Sequence, residues 1–269
     1  MSDEIGWTIF TNPKNLYEFL QDLSLTTGLS TCLDVGDSSS YNRNSLNQYW
    51  IDLTGNANSF FVGDNLSPRG RIPTFNGVPD RNSRYEFFEA TGQSVCASLP
   101  TKTWYKGLHK NNAVFTLLSI IQFVPNTALQ TIFSTSRASP DQGINFNISG
   151  SEIPTLNVYD DVGSNVLTVS TGIVLPTNWC VCSVSLDEAA GTGRFVVDQT
   201  EYTFTSTYGT PSATDSTAVP GIGGPAPFSS GSLMANTSKI AAFAAWNTTA
   251  LSTAQLQSIH SAVRAKYGI

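Results

Sequence analysis

Charge is scarce in this chain: only 13% of its 269 residues are Asp, Glu, Lys or Arg, well below the roughly 25% usual in globular proteins. With a formal net charge of -6, it lacks the basic footprint that phosphate neutralisation requires, which excludes general nucleic-acid binding. Histidine is rarer still. His109 and His260 are the whole complement and stand far apart, so neither a catalytic triad nor a histidine metal centre is expected. There is no Gly-x-Ser-x-Gly elbow and no His-Glu-x-x-His helix. No apolar run approaches the roughly 18–20 residues of a membrane span. The start, MSDEIGWTIF, has neither a basic region nor an apolar core, so synthesis in a cytoplasm without Sec export is the expectation.

Four cysteines are too few to form a disulfide scaffold at this length. Cys180 and Cys182 are two apart in a strand-like stretch, face one side and serve as small hydrophobes. They lack the second cysteine pair that zinc would need. A Cys32–Cys96 bond remains open at this stage. The glycine-rich run at 221–224 leads into Pro225 rather than a helix, which argues against a phosphate cradle.

What the chain has is a 40% hydrophobic content, enough to bury a full core, and a series of short apolar runs at regular intervals. Strands are predicted at 85–89, 113–124, 130–135, 143–148, 155–159, 166–170, 179–186, 193–197, 201–206 and 239–246, with 113–124 and 130–135 read as a pair. The Gly/Pro/Ser-rich segment 207–232 reads as a surface loop. Helices are expected only at the two ends. Leu16, Phe19, Leu20 and Leu23 make an apolar stripe over 15–24, with Pro13 suited to a first helical position. Ser252 and Gln255 form a capping box, and Leu251 can staple onto Leu256. Leu256, Ile259 and Val263 give that helix its apolar face. Arg264 and Lys266 sit near its end, where cations favour the dipole, and Gly268 can stop it. Strands of this spacing with terminal helices indicate an all-β, two-sheet antiparallel jelly-roll sandwich carrying an N-terminal helical arm and a short C-terminal helix.

Residues 32–61, CLDVGDSSSYNRNSLNQYWIDLTGNANSFF, are the most distinctive stretch. Leu33 and Val35 alternate with polar neighbours, Trp50, Ile51 and Leu53 supply a buried edge, and Thr54-Gly55-Asn56 offers the positive φ of a tight reversal. Asp52 is placed to hydrogen-bond that turn's backbone. This order of residues, LD-x-G, then SY, then W-x-DL-T-GN, resembles the opening of laminin-G-like, concanavalin A-like domains encoded by tailed bacteriophages. The "ALS-x-x-Q" helix ending in Tyr-Gly is similar to their closing element. Residues 1–30, ahead of this signature, read as an arm whose helix either packs on its own domain or serves assembly by docking onto another subunit, and 31–269 as the sandwich. The resemblance implies a non-enzymatic virion surface protein, such as a tail fibre, baseplate appendage, head spike or decoration, presenting a glycan-binding or adhesive surface. The partners implied are other virion proteins through residues 1–30, host-surface glycans and further copies in a homo-oligomer, without nucleic acid or membrane insertion. The alternatives are a purely structural decoration protein and a glucanase-like enzyme.

Candidate sites follow from this. Glucanases on such sandwiches place carboxylates on alternate residues of one strand. Glu86 and Glu89 are three apart and fall on opposite faces, and Asp160-Asp161 and Asp187-Glu188 read as turn residues, so no catalytic residue is assigned. No cofactor is implied, although Asp34, Asp37, Asp160, Asp161 and Asp187 are candidates for a structural calcium ion. Glycan binding needs aromatic faces beside amides and hydroxyls, for which Trp104, Tyr105, Tyr208 and Phe228 are the candidates. Trp50, Trp179 and Trp246 are assigned to the core. Seven of the fourteen cations, Arg69, Arg71, Arg81, Arg84, Lys102, Lys106 and Lys110, lie between 69 and 110. They read either as an anion-seeking face or, more simply, as loop charges balanced by Asp64, Asp80, Glu86 and Glu89.

Overall fold

The computed structural model describes residues 14–41, 49–63, 72–76, 87–90, 96–98, 101–136, 142–224, 233–267 and 269. Helix α1 (Leu16–Asp22) leads into β1 (Leu29–Asp34), β2 (Tyr49–Trp50), β3 (Phe60–Val62), β4 (Thr74–Asn76), β5 (Phe87–Glu89) and β6 (Cys96–Ser98). Then follow β7 (Val114–Gln122), β8 (Gln130–Ser134), β9 (Gly143–Ile148), β10 (Pro154–Tyr159), β11 (Asn165–Ser170) and β12 (Cys180–Asp187). The chain closes with β13 (Thr192–Val197), β14 (Thr200–Thr205), β15 (Gly221–Ile222), β16 (Lys239–Trp246) and α2 (Thr253–Tyr267).

These strands form two antiparallel sheets of eight. The first runs β14-β13-β12-β7-β16-β5-β4, with β1 also on β16. Because β7 takes one edge of β16, β1 and β5 share the other end to end, at residues 242–246 and 239–240. The second sheet runs β11-β10-β9-β8-β15-β6-β3-β2. The result is a two-sheet antiparallel sandwich in which, among the described residues, helices occur only near the ends of the chain.

Alternation explains the layering. In β16, Phe243 and Ala245 point between the sheets, while Ala242, Ala244 and Trp246 point to the opposite face. On that outer face the small alanines let helices approach closely. Leu16 and Leu20 of α1 and Leu256, Ile259 and Val263 of α2 pack there with Leu118, Ile120 and Val181. The molecule is therefore three layers deep: helices, first sheet, second sheet.

Several details depart from the sequence reading. The α1 cap is Asn15, whose side chain accepts from Glu18 N at 2.8 Å while Glu18 returns the bond to Asn15 N at 2.7 Å; Pro13 lies outside the described residues. Leu16 and Leu20 are fully buried in the chain's own core, and β1 begins at Leu29, so a boundary at 30/31 falls inside a strand. The strands at 113–124 and 130–135 do not pair with each other: β7 belongs to the first sheet and β8 to the second. Segment 207–232 is not loop alone, since Gly221–Ile222 is buried as β15 between β8 and β6. All four cysteines are free, Cys32 among the helix-facing residues and Cys96 between the sheets, so the Cys32–Cys96 bond is absent. Burial pushes the Cys96 thiol up to about 12. The α2 cap is as expected, with Ser252 N donating to Gln255 Oε1 at 2.8 Å and Gln255 N to Ser252 Oγ at 3.3 Å.

Candidate functional site

β7 and β16 are neighbours in the first sheet, with Thr116 opposite Trp246. Their ends therefore bring the segment entering β7, residues 103–114, beside Asn247 and Thr248 leaving β16. Between them lies an open cleft of about 470 Å³ whose lining includes Trp104, Gly107, Asn111, Asn112, Asn247 and Thr248. That volume is in the range of small-ligand sites, roughly 300–1,000 Å³.

The loop is held from behind. Asn247 Nδ2 donates to Trp104 O at 3.1 Å, Tyr208 OH to Leu108 O at 3.1 Å, and Asn112 N to Glu188 Oε2 at 2.6 Å. Asn112 adopts φ +59°, a conformation asparagine tolerates better than most residues. His109 Nε2 lies 3.0 Å from Thr214 O, and Lys110 Nζ pairs with Asp215 Oδ1 at 2.5 Å. Burial holds the His109 ring below the usual imidazole range. Trp104 stacks on Phe133 with centroids 5.9 Å apart and meets Tyr105 edge-on. The indole is thereby fixed at the top of the core while remaining partly open beside the asparagines. The cleft can offer one aromatic plane and several amides. Among the described residues its lining includes no carboxylate and a single cation, Lys110, which is paired with Asp215.

The four aromatic candidates separate here. Trp104 lines the cleft. Tyr105 and Tyr208, 2% and 3% exposed, belong to the core between the sheets and present no face to a ligand. Burial raises the hydroxyl pKa of both. Phe228 lies outside the described residues. Asn111 and Asn247 were not singled out from sequence, although amides flanking the ends of two long apolar strands are a usable signal for a polar rim. Trp50 and Trp246 are core residues, and Trp179 packs half-buried under the helices.

Four of the five acidic candidates, Asp34, Asp37, Asp160 and Asp187, are engaged locally. Asp34 is buried beside Lys266. Asp37 accepts from Ser39 N, Ser40 N and Asn15 Nδ2, Asp160 caps Val162 N and Ser164 N, and Asp187 caps Ala190 N. Among the described residues no group of three or more His, Cys, Asp or Glu is arranged to hold a metal. Of the basic cluster, Arg69, Arg71, Arg81 and Arg84 lie outside the described residues.

No family model matches this chain, and no curated protein sequence does. Solved structures do. Domain 4 of AbnA, an extracellular GH43 arabinanase from Geobacillus stearothermophilus solved with arabinotriose, aligns over 86% of this chain and 98% of its own, with TM-score 0.57 and 16% identity. A mutant Trypanosoma rangeli sialidase displaying trans-sialidase activity aligns over 94% of this chain with TM-score 0.55 and 11% identity, but the chain spans only 39% of it. The binding domain of Botulinum neurotoxin DC in complex with SialylT aligns over 88%, with TM-score 0.56 and 10% identity, and is covered to 52%. At these identities the likeness is one of fold.

Proposed function

We propose that this chain is a non-enzymatic glycan-binding module displayed on a bacteriophage virion, as a tail fibre, baseplate appendage, head spike or decoration, with the sugar held at the Trp104 cleft. The observation that carries the glycan reading is that cleft: an indole fixed by Phe133, ringed by Asn111, Asn112 and Asn247, in a space of ligand size. Sugar rings stack their C–H faces on aromatics and match amides with their hydroxyls. Support comes from the arabinanase and toxin domains, sandwiches of this shape solved with a sugar or sialylated ligand. Hydrolysis would need two carboxylates flanking a bond at roughly 5–9.5 Å; among the described residues the cleft lining has none, and the nearby Glu188 and Asp215 are engaged with Asn112 N and Lys110.

The virion reading rests on the resemblance carried by residues 32–61 and the closing helix, and it predicts capsid or tail genes beside this one. Attachment to the particle is assigned to residues 1–13 rather than 1–30, because Leu16 and Leu20 complete the domain's own core. Removal of 1–13 should leave a folded chain that no longer joins its particle or oligomer.

A glycan array on wild type, Trp104→Ala and Asn111→Ala tests the site. Wild type should bind, and each variant should lose roughly tenfold or more in affinity, as for the anchors of small interfaces. Asn111→Ala should keep the wild-type melting temperature, since exposed substitutions cost within about 0.5 kcal/mol. An array without hits would favour the purely structural decoration protein. Reducing sugar released from a bound polysaccharide would establish an enzyme instead.

A further inference from the structure

The second sheet turns a different chemistry outward. Ile144, Phe146 and Ile148 of β9 and Leu156 and Val158 of β10 point between the sheets, so alternation directs Asn145, Asn147, Thr155 and Asn157 to the opposite face. Register aligns them in two rows across β8–β11. One row is Ser134, Asn145, Asn157 and Thr168; the other is Thr131, Asn147, Thr155 and Ser170. Every member is a hydroxyl or an amide.

Exposure falls along these rows. Thr168 and Ser170 on the edge strand are exposed, Asn145 and Asn157 are half-buried, Thr155 is 9% exposed and Asn147 is 0%. At the deep end, Asn147 Nδ2 and Oδ1 and Thr155 Oγ1 have no hydrogen-bond partner. Buried polar groups are almost always satisfied, so three unpaired atoms on adjacent strands at one spot mark a place built to receive something. Ser134 donates to Asn145, which holds the neighbouring amide in place.

Charge narrows the ligand. Residues 142–179, which carry β9, β10 and β11, contain no Lys or Arg and three acids, Glu152, Asp160 and Asp161. Within this stretch an anionic sugar would meet carboxylates and no cation.

We infer that the outward face of β8–β11 is a second binding surface, separate from the rim cleft, for a neutral polyhydroxylated glycan chain. It extends the glycan-binding reading of the previous section and rests on it. Asn147 and Thr155 form the floor, Asn145 and Asn157 the middle, and Thr168 and Ser170 the open side. Amide and hydroxyl groups both donate and accept, as sugar hydroxyls do, so the rows can follow successive hydroxyls without a fixed polarity.

The test is amide chemical-shift mapping of the full chain with neutral trisaccharides (arabinotriose, maltotriose, cellotriose and tri-N-acetylchitotriose) and with sialyllactose. Wild type, Trp104→Ala and Asn157→Ala are compared. At least one neutral trisaccharide should shift amides of β8–β11, equally in wild type and Trp104→Ala. Asn157→Ala should weaken that binding roughly tenfold, the effect of one or two lost hydrogen bonds, while its unliganded spectrum shows an intact fold. Sialyllactose should leave these amides unmoved. Shifts confined to residues 103–114 and 247–248 would overturn the second surface and leave the rim reading standing. Sialyllactose binding to β8–β11 would overturn the neutral assignment. No shift with any sugar, here or on the array, would overturn both readings.

Discussion

Residues 32–61 and residues 103–114 are both polar segments laid against strands, and they use their polar atoms in opposite ways. The first turns them inward. Asp52 accepts from Cys32 N, Thr54 N, Thr54 Oγ1 and Asn58 N, at 2.7–3.1 Å. Ser40 Oγ accepts from Asp34 N and donates to Ile51 O, and Asn56 Nδ2 reaches Leu29 O. Asp34 accepts from Leu16 N at 2.8 Å, Gly36 N at 2.9 Å, Lys266 Nζ at 2.5 Å and Tyr267 OH at 2.6 Å. The most recognisable part of the sequence is thus a clip joining β1, the 51–58 turn and both helices. Segment 103–114 is tied behind through Leu108 O and Asn112 N and beside the cleft through Asn247 to Trp104 O, and it leaves Trp104 and Asn111 lining an open cleft. A strong motif in this chain reports fold, and the proposed binding surface lies where the pattern is weak.

The comparison breaks most easily at Asp34. Lys266 is 7% exposed, so Asp34→Ala strands a buried ammonium and should cost about 3–5 kcal/mol in chemical denaturation. The double variant Asp34→Ala/Lys266→Met should recover part of that loss, because the charge goes with its partner. Sugar affinity per folded molecule should not change. If Asp34→Ala unfolds like wild type, the clip is not what joins the layers.

Asp52→Ala comes next. A single turn bond would give about 1–2 kcal/mol, but Asp52 also bonds Cys32 N and Asn58 N on the neighbouring segments, which raises the expected loss to about 3 kcal/mol. Glycan binding should survive wherever the fold survives. A loss near 1 kcal/mol would mean that the bonds to Cys32 and Asn58 add little to the turn.

Why some of this was legible and some was not follows from range. Local chemistry could be read: the predicted 143–148 and 239–246 coincide with β9 and β16, Ser252 caps α2, and Gly55 takes φ +82°. At the same turn the second positive φ falls on Ala57, not Asn56. Partners could not be read. Nothing local in 113–135 says that β7 and β8 join different sheets, and two residues, Gly221–Ile222, leave no periodicity to detect. Lys266 looked like a dipole-favouring surface cation and is a buried ion pair whose partner lies in β1. Tyr105 and Tyr208 are sugar-platform candidates by sequence, yet the loop folds inward and the Tyr208 hydroxyl finds Leu108 O. Of the candidate site the sequence singles out only Trp104 and, within the cationic cluster, Lys110, since a cleft made by the ends of two strands exists only after they pair.

A smaller effect tests the rim itself. His109 donates from Nε2 to Thr214 O, and its Nδ1 is buried without a partner, so a second proton there finds no acceptor. Lys110, Asp215 and Asp161 are the charges around it, and burial outweighs them in lowering its pKa. The folded value lies below the unfolded one of about 6.5. As pH falls through 6.5 the unfolded chain binds the proton first, so stability present above that pH is lost down to the folded value. Burial also lowers the His260 pKa, which adds to the slope with the same sign. Between pH 7 and 5.5 the melting temperature should drop by roughly 2–4 °C, with sugar affinity at the cleft falling too; His109→Gln should flatten the affinity profile and reduce the melting-temperature slope to the part that His260 leaves. A flat wild-type profile would show that the His109–Thr214 tie contributes nothing to the rim.

The smallest expected effect is none. Glu89 sits on β5 opposite Lys239 of β16 and Thr74 of β4, within the first sheet and away from the residues lining the Trp104 cleft. Glu86, its near neighbour in sequence, lies outside the described residues. Glu89→Gln keeps the side chain's size and removes only its charge, so stability should shift by less than about 0.5 kcal/mol, and sugar affinity at either surface should stay within error. The substitution matters because it attacks the comparison from the other side. If the wild-type chain degraded a polysaccharide and Glu89→Gln abolished that activity, a residue inside the regular sheet would be doing chemistry. The separation between a structural framework and binding surfaces at its rim and outer face would then fail, and a glucanase would be the better description.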